Sequence, residues 1–260
     1  MKLNAFVVGQ GTRGTVLLHG FLGSGRNLRT LATRWAERDP SRIFLLPDLA
    51  GHGASPNVDD TTDLRSMGRD VIETARAAGF EGPLDLVGHS LGGRVALAAA
   101  LAAPEEVAQV VLLDIGPGPI DGDTSESGRV LDVLIQAPAL AAERRTLRQF
   151  LMDHGLSGAL ADWLMMNVEP KDGGYGWRFD RAALRTLHAR VNREDLWPAL
   201  RSRPSTLSVS VIRGGRSPYV SHAEAKRMEQ AGWRVFTLPE AGHYVHVDAL
   251  EALLDRLAAI

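Results

Sequence analysis

Apolar residues along this chain fall into two rhythms. Short, nearly continuous apolar runs at 15–19 (TVLLH), 43–47 (IFLLP), 84–88 (LDLVG), 110–114 (VVLLD), 209–213 (VSVIR) and 235–238 (VFTL) predict strands buried on both faces. Between them a 3.6-residue apolar period predicts helices over about 27–37, 66–78, 91–103, 221–231 and 248–258, several of them closed by Gly or Pro. Strand and helix in alternation predict an α/β fold, a mostly parallel, doubly wound sheet covered by helices. The segment LNAFVV at 3–8 adds a candidate edge strand.

The rhythm breaks between 116 and 198. No strong strand is legible there, but SGRVLDVLI, AERRTLRQFLMDHG and GALADWLMMNV have helical patterns. A structureless loop of that size is rare in a compact domain. The expected division is therefore a core of 1–115 and 199–260 carrying a helical cap of 116–198. With 260 residues and 45% hydrophobic content, the chain can build one substantial core and such an insertion.

Charge and composition exclude more than they assign. Lys and Arg number 29 against 31 Asp and Glu, a net charge of −2 with no long single-sign run, so no nucleic-acid partner is expected. Arg144, Arg145 and Arg148 are spaced as one solvated helix face. Without cysteine there are no disulfides, thiolate metal sites or cysteine nucleophiles. No run approaches the roughly 18 apolar residues that span a bilayer, and MKLNAFVVGQGTRG lacks the apolar core of a signal peptide. A soluble, cytoplasmic protein with no membrane partner is the expectation.

The chemistry concentrates at LDLVGHSLGGRVALAAA. Strand, then Gly88-His89-Ser90-Leu91-Gly92, then an Ala-rich helix is the G-x-S-x-G elbow in the context it requires. The sharp turn holds the serine in a strained conformation, and glycines two before and two after relieve crowding. Ser90 is thereby presented at the carboxyl end of the sheet, over a helix N-terminus that favours developing negative charge. The alternative is a structural turn whose serine caps a helix.

A serine nucleophile needs a base and donors for the oxyanion. In LPEAGHYVHVD, after the last strand, His243 is the candidate base. His246 three residues on has no further ligand at metal spacing, so no metal is expected, and it reads as a packing or hydrogen-bonding residue at the start of the final helix. In LLHGFLGSGRN, the loop after the strand at 15–19 can aim the Phe21 backbone N–H at the same space as that of Leu91, forming an oxyanion hole. His19 and His52 are expected to brace loops. His89 flanks the nucleophile, with its side chain expected to point away and no chemistry assigned.

Together the elbow, the late histidine and the strand order resemble the α/β-hydrolase family over essentially the whole chain. Many of its members carry the triad acid after the penultimate strand, where this chain has VIRGGRSPYVS and no carboxylate; Glu224 beyond it falls on a predicted helix. Asp114 ends the preceding parallel strand, so it shares the carboxyl edge with His243 and can reach its Nδ1, fixing the tautomer. The alternative for Asp114 is a cap of the turn entering the insertion, and Asp121 and Asp123 are weaker candidates for the acid. HGFLGSGRN, DLAGHGASP, GHSLGG, LLDIGP, GGYGWRFD, IRGGRSPYVS and GHYVHVD resemble the subgroup containing the esterase YbfF and the ABHD11-type hydrolases. That resemblance implies a triad of Ser90, Asp114 and His243, with Ser217 in the vacated acid position, and hydrolysis of acyl esters without a cofactor. One departure is Ala50 and Gly51, where relatives often carry a basic and a polar residue.

The expected reaction is cleavage of short- to medium-chain acyl esters through an acyl-enzyme on Ser90, the partner being a small-molecule ester. Thioester, amide or C–C bond hydrolysis on the same triad, or a slow-turnover ligand receptor of the same fold, are the alternatives. Leu22, Trp163, Met166, Trp177 and Tyr219 are the candidate substrate contacts, with Leu164 and Met165 beside them; a Met and Trp stripe at helical spacing is also what plain core packing looks like.

Overall fold

The computed structural model describes residues 1–121, 125–201 and 207–260. Its first part runs β1 (Ala5–Gly9), β2 (Arg13–Leu18), α1 (Arg29–Arg38), β3 (Arg42–Pro47), α2 (Leu64–Ala77), β4 (Leu84–His89), α3 (Leu91–Ala102) and β5 (Val107–Leu113). An insertion follows: α4 (Glu126–Gln136), β6 (Leu140–Ala141), α5 (Arg144–Asp153), α6 (Gly158–Leu164), β7 (Val168–Lys171), β8 (Gly174–Trp177), α7 (Arg181–Arg193) and α8 (Trp197–Leu200). The chain then completes the core with β9 (Ser208–Gly214), α9 (His222–Gln230), β10 (Arg234–Leu238), α10 (Val245–Asp248) and α11 (Leu250–Ala258).

The seven-stranded sheet has the order β1-β3-β2-β4-β5-β9-β10. Only the edge strand β1 is antiparallel to its neighbour. Alternate side chains of a strand face opposite ways, and the packing follows that rule. Leu86, Val110 and Leu112 join the core under α2 and α3, whereas Val87, Val111 and Leu113 join a second core with Trp35 of α1 and Leu253 of α11. The sheet is therefore wound on both faces, and every parallel strand points its carboxyl end toward the same edge. Asp85, inside the fully buried β4, meets Arg42 at 2.7 Å and Arg13 at 2.9 Å, which compensates a charge that the strand could not otherwise bury.

The insertion contains the helices its apolar period predicts and one feature its sequence conceals. β6, β8 and β7 form a three-stranded antiparallel sheet. Its strands are two to four residues long, too short to register as alternation, and they carry Pro170, Gly174 and Gly176. Asp172-Gly173 is the hairpin signal that does show, with Gly173 at a φ of 83°. Arg94 of α3 ties both roots of the insertion to the core. Its guanidinium donates to the carbonyls of Gly116 and Gly118 on the outgoing chain, and of Val191 (3.0 Å) and Glu194 on the returning one. Among the described residues no helix is long and apolar enough to cross a membrane.

Candidate active site

β4 runs without a break into α3, and Ser90 takes the corner at φ 52°, ψ −120°. That corner is sharp enough to press backbone on backbone. A Cβ on Gly88 would lie 2.2 Å from the Gly92 carbonyl, and one on Gly92 would lie 2.3 Å from that of Leu18. Both positions therefore exclude every other residue. Leu91, first in the helix, has an N–H with no intrahelical acceptor, and it points where anions are favoured.

Asp114 follows β5 by one residue, fully buried and at φ 54°. Its Oδ2 accepts from His243 Nδ1 at 2.7 Å. Oδ1 accepts from the Gly214 amide at 2.9 Å, and Oδ2 also accepts from the Ser217 hydroxyl. A carboxylate can only accept, so His243 must carry a proton on Nδ1, which leaves Nε2 as the ring nitrogen not bound to the aspartate. Ser217, in the turn that lacks an acid, is thus a donor to the acid one strand away. Asp121 is exposed in the loop beyond, and Asp123 lies outside the described residues.

His243 is held on several sides. The ring of Tyr219 stacks on it at 3.8 Å between centroids, 18° from parallel, and the Tyr219 hydroxyl is in hydrogen-bonding contact with Ser127 of α4, while its own burial raises its pKa. His89 does not point away from the site as the sequence led us to expect. Its Nε2–H donates to the backbone carbonyl of His243 at 2.9 Å, and its ring lies 4.6 Å from the His243 ring. The flanking position hides this, because the side chain leaves a fully buried strand toward the loop after β10. His246 packs edge-on against His89 at 4.7 Å within α10. Burial, and then His243, push its pKa down to about 4.

The opposite wall is the turn after β2. Gly23 N–H donates to the Gly20 carbonyl at 3.1 Å, closing a turn around Phe21 and Leu22. His19 also donates from Nδ1 to Gly20 O at 2.7 Å while Nε2 accepts from the Leu49 amide at 2.9 Å, so it braces two loops as a single neutral tautomer. His52 donates from Nδ1 to Ala50 O at 2.9 Å, and burial lowers its pKa to about 3. Asp48, missed from sequence, accepts from the Gly25 and Ala54 amides at 2.8 Å each and gathers the same loops. Among the described residues the non-glycine positions with positive φ are Leu22, Ser90 and Asp114. All three lie at this one edge, and such strain concentrates where geometry is functional.

These walls enclose a cavity of about 400 Å³ that includes Phe21, Leu22, Ser90, Trp163, Tyr219 and His243 in its lining. Two expected contacts fall elsewhere. Met166 is 50% exposed on the outer surface, and Trp177 is buried within the insertion, where it stacks on Phe179 and donates to Pro138 O at 2.9 Å. Leu164 and Met165 are buried but do not line the cavity either. An apolar run such as 163–166, or a lone aromatic such as Trp177 on β8, marks a position as apolar without saying which neighbour it faces. The wall is supplied instead by Glu126, Ser127 and Val130 of α4 and by Leu160 of α6.

A nucleophile elbow, a histidine bound to a buried aspartate on the same sheet edge and a parallel sheet with one antiparallel edge strand define an α/β hydrolase. The chain belongs to the Alpha/beta hydrolase family, whose profile matches residues 15–256. It is similar to the sn-1-specific diacylglycerol lipase ABHD11 of Mus musculus, 29% identical over 252 residues that cover 94% of this chain and 79% of that protein. It is also similar to esterase YbfF of Escherichia coli strain K12, 28% identical over 251 residues that cover 93% and 90% of the two chains. Among solved structures a marine microorganism esterase superposes with a TM-score of 0.86 at 23% identity, covering 99% of this chain and 98% of that one, a likeness of fold.

Proposed function

We propose that the chain hydrolyses neutral carboxylic esters of short to medium acyl length through an acyl-enzyme on Ser90, beneath a cap formed by 116–198. The observation that carries this reading is the 2.7 Å bond from His243 Nδ1 to the buried Asp114, with His243 lining the same cavity as the strained Ser90. His243 Nε2 takes the Ser90 proton as Oγ bonds to the ester carbonyl carbon. The Phe21 and Leu91 N–H groups hold the oxyanion, and each such donor is worth about 3 kcal/mol. As the C–O bond breaks, the imidazolium returns the proton to the departing alkoxide. A water then gives its proton to His243, attacks the acyl-enzyme, and regenerates Ser90 with release of the acid.

The lining favours an uncharged ester over a polyanionic thioester. Leu22, Leu28, Val130, Leu160, Trp163 and Val247 supply its apolar surface. Among the described residues its acidic members are Glu126 and Asp248, and neither Lys nor Arg lines it. Burial keeps the lining histidines His19, His89 and His246 depressed in pKa and hence neutral. The test is labelling by a fluorophosphonate probe together with p-nitrophenyl butyrate turnover. Wild type should label at Ser90 and show a p-nitrophenol burst, and Ser90→Ala should do neither; absence of labelling in wild type would end the reading. With matched esters differing by a terminal carboxylate, the neutral one should be preferred, and Glu126→Gln should narrow that preference by roughly threefold at low salt.

A further inference from the structure

Leu22 occupies the third position of the Gly20–Gly23 turn at a φ of 61°. L residues with a Cβ avoid this region, and turns that require it reserve it for Gly or Asn. Burial of its side chain to 2% exposure helps retain it. A second restraint comes from 145 residues along the chain, where Asn167 Nδ2 donates to the Leu22 carbonyl at 3.0 Å. Because a backbone carbonyl can only accept, the amide must present its nitrogen here.

Asn167 is itself firmly placed. It is buried at 5% exposure and leads directly into β7. Its carbonyl accepts from the Arg178 amide at 2.9 Å, and Arg144 donates to the carbonyls of Met165 and Val168 on either side. The small sheet of the insertion thus ends in an amide aimed at the turn that carries the Phe21 N–H.

We propose that Asn167 is a positioning residue of the oxyanion hole, supplied by the cap. It holds the Leu22 carbonyl, and through it the turn, in the one conformation that points Phe21 N–H at the developing oxyanion. Without that bond Leu22 is free to relax toward negative φ, which rotates the 21–22 peptide and displaces Phe21. This rests on the reading of Ser90 and Phe21 given above. The ester ground state is held by the cavity walls, while the tetrahedral oxyanion depends on the turn, so the loss falls on kcat and spares KM.

The experiment compares wild type with Asn167→Ala and with Asn167→Asp, which keeps the shape of the side chain but removes the amide donor. The substrate is p-nitrophenyl butyrate, and the probe of the oxyanion is an alkyl trifluoromethyl ketone, which adds Ser90 Oγ to give a tetrahedral alkoxide. Both variants should lose roughly 10- to 100-fold in kcat, less than the roughly 10²–10³ for deleting a donor outright. KM should move by less than about threefold, and ketone affinity should weaken in step with kcat/KM. Circular dichroism checks the fold; if the alanine variant melts, the aspartate variant carries the comparison. Unchanged kcat in a folded variant, or a fall in kcat with full ketone affinity, overturns the role of Asn167. A wild type that neither labels with fluorophosphonate nor turns over ester overturns the underlying reaction instead, so the two failures are told apart.

Discussion

At Asp114 one carboxylate serves two loops. Oδ2 fixes His243, while Oδ1 and the Ser217 contact tie down the turn after β9. Asp114→Asn preserves shape but lets the imidazole adopt the wrong tautomer, so kcat should fall by roughly 10⁴-fold, read from p-nitrophenyl ester turnover. Ser217→Ala removes one donor and leaves the histidine bond in place. It should cost about tenfold, in the range of one hydrogen bond to a charged group. Asp121→Asn, at an exposed position, should be close to silent. Tyr219→Leu removes an aromatic face stacked on His243. Such a pair is worth about 0.5–1.5 kcal/mol, so kcat/KM should fall roughly two- to tenfold, with Ser90 still labelled.

At the scale of elements, the elbow is the least tolerant junction. Gly92→Ala forces a Cβ to within 2.3 Å of the Leu18 carbonyl, and backbone on both sides leaves nothing flexible to yield. β2 and α3 must part, at a cost of at least the roughly 1–3 kcal/mol typical of overpacking. Urea denaturation should register that loss together with loss of Ser90 labelling. Local geometry of this kind is what sequence reveals best. The elbow, the loop of His243 and the aspartate at the end of β5 each follow from a strand and the residue that ends it, and the structure brings all three residues to one edge. Features that depend on which surface meets which were not legible. Met166 continues the apolar run of the lining residue Trp163 and Trp177 sits on β8, and only the packed insertion shows the first facing out and the second facing its own core. The contact of Asn167 with Leu22 spans 145 residues and has no local signature. The helix expected over 248–258 is α11, but His246 lies not at its start but on the separate turn α10, parted from it at Ala249, whose φ of −146° and ψ of 50° are not helical.

For the whole molecule, the buried histidines set the response to acid. His19, His52, His89 and His246 all have pKa values lowered chiefly by burial, to about 3 for His52 and about 4 for His246. Unfolded, each returns to about 6.5. Below that pH the unfolded chain binds protons that the folded chain refuses, so stability falls as pH falls and is fully present only above about 6.5. The loss runs at about 1.4 kcal/mol per pH unit for each group until its folded pKa is reached, or about 2 kcal/mol apiece for His52 and His246 at pH 5. Asp70 and Glu194, raised by burial, act in the opposite sense, and they do so lower in the window because both start from the carboxylate range. The histidines therefore dominate between pH 6.5 and 5. Urea unfolding at pH 7.5, 6.5, 5.5 and 5.0 should show a steep drop in free energy over the last three points. Replacing His246 by Leu removes one proton-refusing site, so the difference between pH 7.5 and pH 5.0 should shrink by about 2 kcal/mol in that variant, whatever the substitution does to stability at neutral pH. A flat profile in wild type, or an equal slope in the variant, would mean that these rings are not held neutral by the fold.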